Sequence, residues 1–187
     1  MTSPIACLGD SITKGISGGG GMPYPHKLES TLSALYPGVY QVGNYGVGGA
    51  TIANMQTTYN SSIKNKGFVR LLLMGGVNDL VAGTTAAVIW ATMDAIITDA
   101  LAAGIIVCVS TVLPFKGYDS NASHNAERAT LNSSIMGRAT ILKYDGYTDA
   151  DDGTGTMKAA WGSPDGLHPG QAGNDFMATG FKAALGL

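Results

Sequence analysis

Leu71, Leu72, Leu73 and Met74 follow one another with no polar residue between them and run straight into Gly75-Gly76. A strand with one face in water alternates apolar and polar residues, so an unbroken apolar run closed by turn residues belongs in a sheet covered on both sides. Other short aliphatic runs share this character. The predicted strands are Pro4 to Leu8, Val39 to Asn44, Phe68 to Met74, Ile105 to Thr111 and Ala139 to Tyr144. Longer amphipathic stretches separate them. Leu28, Leu32 and Leu35 recur at helical spacing before Pro37-Gly38, while Ile89, Met93, Ile96 and Ala100 form one face of a helix that Gly104 is placed to stop. Ser123 to Arg138 is a third helix, with Ser123 as its N-cap and Leu131 with Ile135 as its apolar pair. Gln171 to Leu185, carrying Phe176, Phe181 and Leu185, closes the chain as a fourth. Strands alternating with helices predict an α/β fold, a three-layer α/β/α sandwich around a five-stranded parallel sheet.

The chain has 187 residues, which fits one domain spanning 1–187, with enough interior to need neither disulfides nor metal for stability. Charged residues are only 13% and the net charge is −2, so there is no electrostatic footprint for nucleic acid and no polybasic patch for a membrane surface. Small neutral or polyol substrates suit such a surface better. Cys7 and Cys108 lie inside apolar runs without CxxC or ligand spacing, and are expected to be buried thiols. From Met1 the sequence enters the first strand without a charged segment and a long apolar stretch after it, so no export signal is expected and a cytoplasmic location is the default. Gly18 to Gly21 is expected to be a flexible loop.

Substrate sites in open parallel sheets form beyond the carboxyl ends of the strands, and the chemically interesting residues sit there. Ser11, in Gly9-Asp10-Ser11-Ile12, follows the first strand. Asp-Ser at that place is also an ordinary helix-capping pair. A serine hydroxyl becomes a useful nucleophile only beside an imidazole that takes its proton and a carboxylate that orients the imidazole. The chain has three histidines. His26 and His124 have no acid at a useful local spacing, whereas His168 has Asp165 three residues earlier and Pro169 after it to stiffen the loop. Asn78, in Gly75-Gly76-Val77-Asn78-Asp79, follows the third strand, and its amide is a neutral donor suited to a tetrahedral intermediate; Asp79 is read as a cap for the next helix. The glycines of Asn44-Tyr45-Gly46-Val47-Gly48-Gly49 resemble a dinucleotide loop only loosely, because Thr51 stands where a third glycine or alanine is required and no GK[ST] segment exists. Their freedom serves backbone donation to an oxyanion equally well, with Gly49 chosen as donor over Gly48.

Taken together and in this order, the four blocks resemble the SGNH hydrolases, the GDSL esterase/lipase superfamily. The first is Gly9-Asp10-Ser11, the second Asn44 to Gly49, the third Gly76-Val77-Asn78-Asp79 and the last Asp165 to His168. The resemblance implies a flavodoxin-like sheet, Ser11 as nucleophile, His168 as base, Asp165 as its orienting acid, and the Ser11 N–H, Gly49 and Asn78 as oxyanion donors. It implies neither cofactor nor metal.

The activity expected is hydrolysis of a carboxylic ester through an acyl-enzyme, with His168 neutral in the working form. No long apolar stretch looks like a lid or acyl groove, so short acyl chains are favoured, acetyl above all. Tyr24, Tyr45 and Trp161 are placed near the expected site as a platform for a sugar ring, which makes an O-acetylated carbohydrate the specific substrate expected. Two alternatives use the same residues differently: a carbohydrate-binding domain with incidental catalysis, and acyl transfer to a sugar or alcohol in place of water.

Overall fold

The computed structural model describes residues 2–15 and 21–187, so most of the glycine-rich loop expected at 18–21 lies outside the described residues. The chain forms β1 (Ser3–Gly9), α1 (Ser11–Lys14), α2 (Tyr24–Leu35), β2 (Tyr40–Gly46), α3 (Ile52–Thr58) and β3 (Arg70–Met74). It continues through α4 (Val77–Val81), α5 (Ala86–Ala102), β4 (Ile106–Ser110), α6 (Ala122–Gly137), β5 (Leu142–Tyr144), α7 (Gly146–Ala150) and α8 (Gln171–Ala184). The five strands make one parallel sheet in the order β2-β1-β3-β4-β5. After β1 the chain moves outward to β2 and then back across β1 to β3, so the connections diverge at the carboxyl ends of β1 and β3 and open a crevice there.

Both faces of the sheet are covered, as the unbroken apolar strands require. Ile5, Cys7, Leu72, Met74 and Cys108 point to one face and pack with Leu28 and Leu32 of α2 and Met177 and Phe181 of α8. Their neighbours Ala6, Leu8, Leu71, Leu73, Val107 and Val109 point to the other, against Met55 of α3, Ile89, Met93 and Ile96 of α5, and Leu131 and Ile135 of α6. This is the period-two alternation of a pleated strand with both sides dry. Burial pushes the Cys7 thiol up and the Cys108 thiol up to about 12, so both stay protonated and inert.

Several details depart from the sequence reading: β2 runs on to Gly46, β3 begins at Arg70 and not at Phe68, and Leu35 is exposed where Leu28 and Leu32 are buried. Thr140 turns with φ of 69°, so the last strand begins at Leu142 and not at Ala139. Asn121, whose side chain accepts from the Ser123 N–H, caps α6 in place of Ser123. Phe176 is 48% exposed, which takes it out of the core that Phe181 and Leu185 join. No helix among the described residues is long and apolar enough to cross a membrane.

Candidate active site

The Ser11 turn sits directly on the strand ends because two glycines leave it room. A Cβ on Gly9 would come within 2.0 Å of Thr13 Oγ1, and one on Gly46 within 2.1 Å of the Lys14 N, so α1 can lie flat across β1 and β2 only without those side chains. Asp10 caps α1 by accepting the Ile12 N–H on Oδ1 at 2.9 Å. With the turn fixed this way, Ser11 is 6% exposed and its hydroxyl projects from the carboxyl end of β1.

Across the crevice, the loop before α8 supplies acid and base together. Asp165 Oδ1 accepts the backbone N–H groups of Leu167 and His168, at 2.9 and 2.8 Å, and its Oδ2 lies 2.6 Å from His168 Nδ1. Partial burial disfavours the charged carboxylate, yet the hydrogen bonds from the His168 ring, the His168 N–H and the Leu167 N–H prevail and hold its pKa at about 2. A carboxylate on Nδ1 keeps the proton there, which leaves the Nε2 lone pair facing outward. The Ser11 Oγ stands 2.8 Å from that Nε2. The hydroxyl can therefore donate to the ring and pass its proton to it.

The second and third blocks meet beside this line. Asn78 Nδ2 donates one hydrogen to the Ala50 carbonyl at 3.0 Å, which leaves its other N–H for a ligand. Asp79 does not cap its own helix. Its carboxylate accepts the Ile52 N–H at 3.0 Å and so holds the start of α3, and the glycine turn before it, against α4. That turn is closed by the Ala50 N–H on the Val47 carbonyl, with Gly49 at φ of 73°, a conformation that favours glycine. Among the described residues neither the Gly48 nor the Gly49 N–H has a protein partner, and the Ser11 N–H is free in the same sense. Uncommitted N–H groups at the strand ends are the kind of donor that a developing oxyanion needs.

A model of the GDSL-like Lipase/Acylhydrolase family matches residues 7–176. The chain belongs to that family. This GDSL-family protein is accordingly a carboxylic ester hydrolase, and solved structures share its fold. An acetylxylan esterase from Geobacillus stearothermophilus, in a catalytic-mutant form, aligns at 19% identity over 100% of this chain and 96% of that one, with a TM-score of 0.82. A GDSL-like lipase from Bacteroides thetaiotaomicron aligns at 18% identity over 98% and 88%, with a TM-score of 0.81. An α/β hydrolase from the metagenome of Lake Arreo aligns at 21% identity over 98% and 95%, with a TM-score of 0.80. No curated protein matches the sequence.

The three aromatics expected to line the GDSL site do not. Tyr24 is fully buried, stacked on Phe181 with ring centroids 5.0 Å apart, and its hydroxyl shares a hydrogen with Thr13 Oγ1. Trp161 is 2% exposed and stacks on Phe176 on the outer side of α8. Tyr45 folds back along its own strand over Gly43 and meets Phe68 edge-on, away from the carboxyl end of β2. All three are packing residues. His124 also departs from expectation, because the loop before α6 brings Asp119 to within 2.6 Å of its Nδ1. Its Nε2 faces the Asn121 amide and not a hydroxyl, so this pair ties the loop to the helix.

Two neighbours of the site are given no part in the chemistry by the sequence reading, Asn174 and, beyond its cap, Asp10. Asn174, buried in α8, accepts the Tyr24 N–H and donates to the Pro169 and Gly170 carbonyls, clamping the loop that carries His168 to α2. Asp10 is fully buried, its Oδ2 has no partner, and burial raises its pKa to about 6 against the Ile12 N–H and the nearby His168, which lower it. Among the described residues no group of three or more His, Cys, Asp or Glu is gathered to hold a metal ion.

Proposed function

We propose that the chain hydrolyses short-chain carboxylic esters, acetyl esters above all, through an acyl-enzyme on Ser11. The observation that carries this reading is the unbroken line from Asp165 through His168 to Ser11, with contacts of 2.6 and 2.8 Å. His168 takes the Ser11 proton at Nε2 as the oxygen attacks the acyl carbon, and the charge left on the carbonyl oxygen falls to the N–H groups of Ser11 and Gly49 and the Asn78 amide. The ring then returns the proton to the leaving alcohol. Water, deprotonated by the same nitrogen, releases the acid. Asp165 stays ionised throughout and holds the ring in its tautomer.

The short-acyl preference draws support from the sequence, which holds no long apolar stretch that could form a lid or an extended acyl groove. An O-acetylated carbohydrate is the specific substrate proposed. Its support is the near-neutral charge and the acetylxylan specificity named for the Geobacillus esterase of the same fold. The test is acetate release from a panel of acetylated glycans, run beside p-nitrophenyl esters from acetate to octanoate. Turnover on acetate that falls steeply with chain length and vanishes in Ser11→Ala supports the reading. Faster turnover on octanoate, or normal turnover without the Ser11 hydroxyl, overturns it.

A further inference from the structure

A second cavity, of about 330 Å³, opens beyond β4 and β5 on the same edge of the sheet as Ser11. Its walls include Lys116, Ser120, Asn125, Arg128 and Tyr147. It neighbours the catalytic loop, because a Cβ on Gly166 would lie 2.6 Å from the Gly117 carbonyl carbon, one residue from Lys116.

Arg128 is the anomaly of this cavity. It is 8% exposed and its guanidinium stacks on the Tyr147 ring at 4.0 Å, which fixes its plane. Its Nε is buried without a hydrogen-bond partner, and among the described residues it forms no ion pair. Asp119 pairs with His124, and Asp151, which acts on the same Tyr147, makes no ion pair with the guanidinium. A buried cation without a counter-charge is costly, and native folds rarely retain one unless something answers it. Lys116, exposed at the rim, spends one hydrogen on the Thr154 carbonyl and keeps two.

An anion satisfies the guanidinium, and a planar carboxylate matches its fork best. We propose that this cavity binds a small organic acid, its carboxylate on Arg128 and Lys116. The site is separate from Ser11 and does not depend on ester turnover.

The test is calorimetric titration of the full chain carrying Ser11→Ala with glucuronate, galacturonate, glucose and sulfate. Saturable binding of a uronate, with no glucose binding and weaker sulfate binding, supports the site, and Arg128→Gln should weaken it roughly tenfold or more. Lys116→Ala, at the exposed rim, gives a second and smaller loss if Arg128→Gln does not fold. In the chain that keeps Ser11, Arg128→Gln should leave p-nitrophenyl acetate turnover unchanged, so failure of this site and failure of the esterase reading are separable. No heat with either uronate, binding indifferent to both substitutions, or sulfate bound as tightly as uronate would overturn the proposal.

Discussion

Ser11 Oγ and His168 Nε2 stand 2.8 Å apart although 157 positions separate the two residues in the chain. Nothing else in the fold gives the hydroxyl a reason to be reactive. Ser11→Ala should therefore lower kcat on p-nitrophenyl acetate by roughly 10⁴-fold to 10⁶-fold, with little change in melting temperature, since only a hydroxyl is removed. Retained turnover in that variant would refute the nucleophile assignment.

Asp165 sets the tautomer of His168, and Asn in its place can present an N–H to Nδ1 and reverse it. Asp165→Asn should then cost about 10⁴-fold in kcat with near-normal KM. The same substitution bears on stability in acid. Because the folded-state pKa of Asp165 is about 2, below the ordinary value of 3.8, its contribution is complete above about pH 4 and is lost as pH falls toward 2. Melting curves from pH 5 to pH 2 should show a shallower decline in the variant than in the parent chain.

Asp10 works in the opposite sense. Its folded-state pKa of about 6 exceeds 3.8, so the unfolded chain gives up this proton first and stability falls as pH rises between those values. The difference amounts to on the order of 3 kcal/mol at neutral pH. Asp10→Asn keeps an acceptor for the Ile12 N–H and stays neutral. Its melting temperature should exceed that of the parent at pH 8 and match it near pH 4; a deficit at pH 8 would mean that the Asp10 charge is compensated.

Asn78→Ala removes a donor to the oxyanion and should reduce kcat by roughly a hundredfold to a thousandfold, about 2.7 to 4 kcal/mol of transition-state stabilisation, while KM moves little. It also frees the Ala50 carbonyl, a loss of about 1 kcal/mol of stability that a denaturant midpoint would register. A large change in KM with unaltered kcat would move Asn78 from the oxyanion to ground-state binding.

Asn174→Ala strands the Tyr24 N–H inside the protein and releases the Pro169 and Gly170 carbonyls. The cost should be about 1–3 kcal/mol in urea denaturation, since a buried donor left unmade bears its full desolvation penalty. Turnover should fall as well, because the His168 loop loses its clamp.

The sheet was legible because its strands are dry on both faces and so announce themselves as apolar runs; β5 was overdrawn by the turn at Thr140, which reads like a strand until its φ is known. Ser11, Asn78, Asp165 and His168 could be picked out because each is a polar residue at a strand end or loop where a packed core gives it no other task. The aromatics could not be placed in the same manner. Whether Tyr24 faces solvent or Phe181 depends on a helix about 150 residues away, and no local pattern encodes that distance. The Asp119–His124 and Arg128–Tyr147 contacts were hidden for the same reason, being set by how loops fold back on α6 and α7.

Acid and base ride on one four-residue segment, whereas the hydroxyl and the amide donors arrive from three others. The two partners in the loop therefore cannot be parted from each other by any excursion of that loop; they can only leave together. In the proposed mechanism proton transfer from the hydroxyl hangs on a single gap, between one ring nitrogen and one oxygen, and a tether across the crevice that fixed this gap would keep the three groups in line.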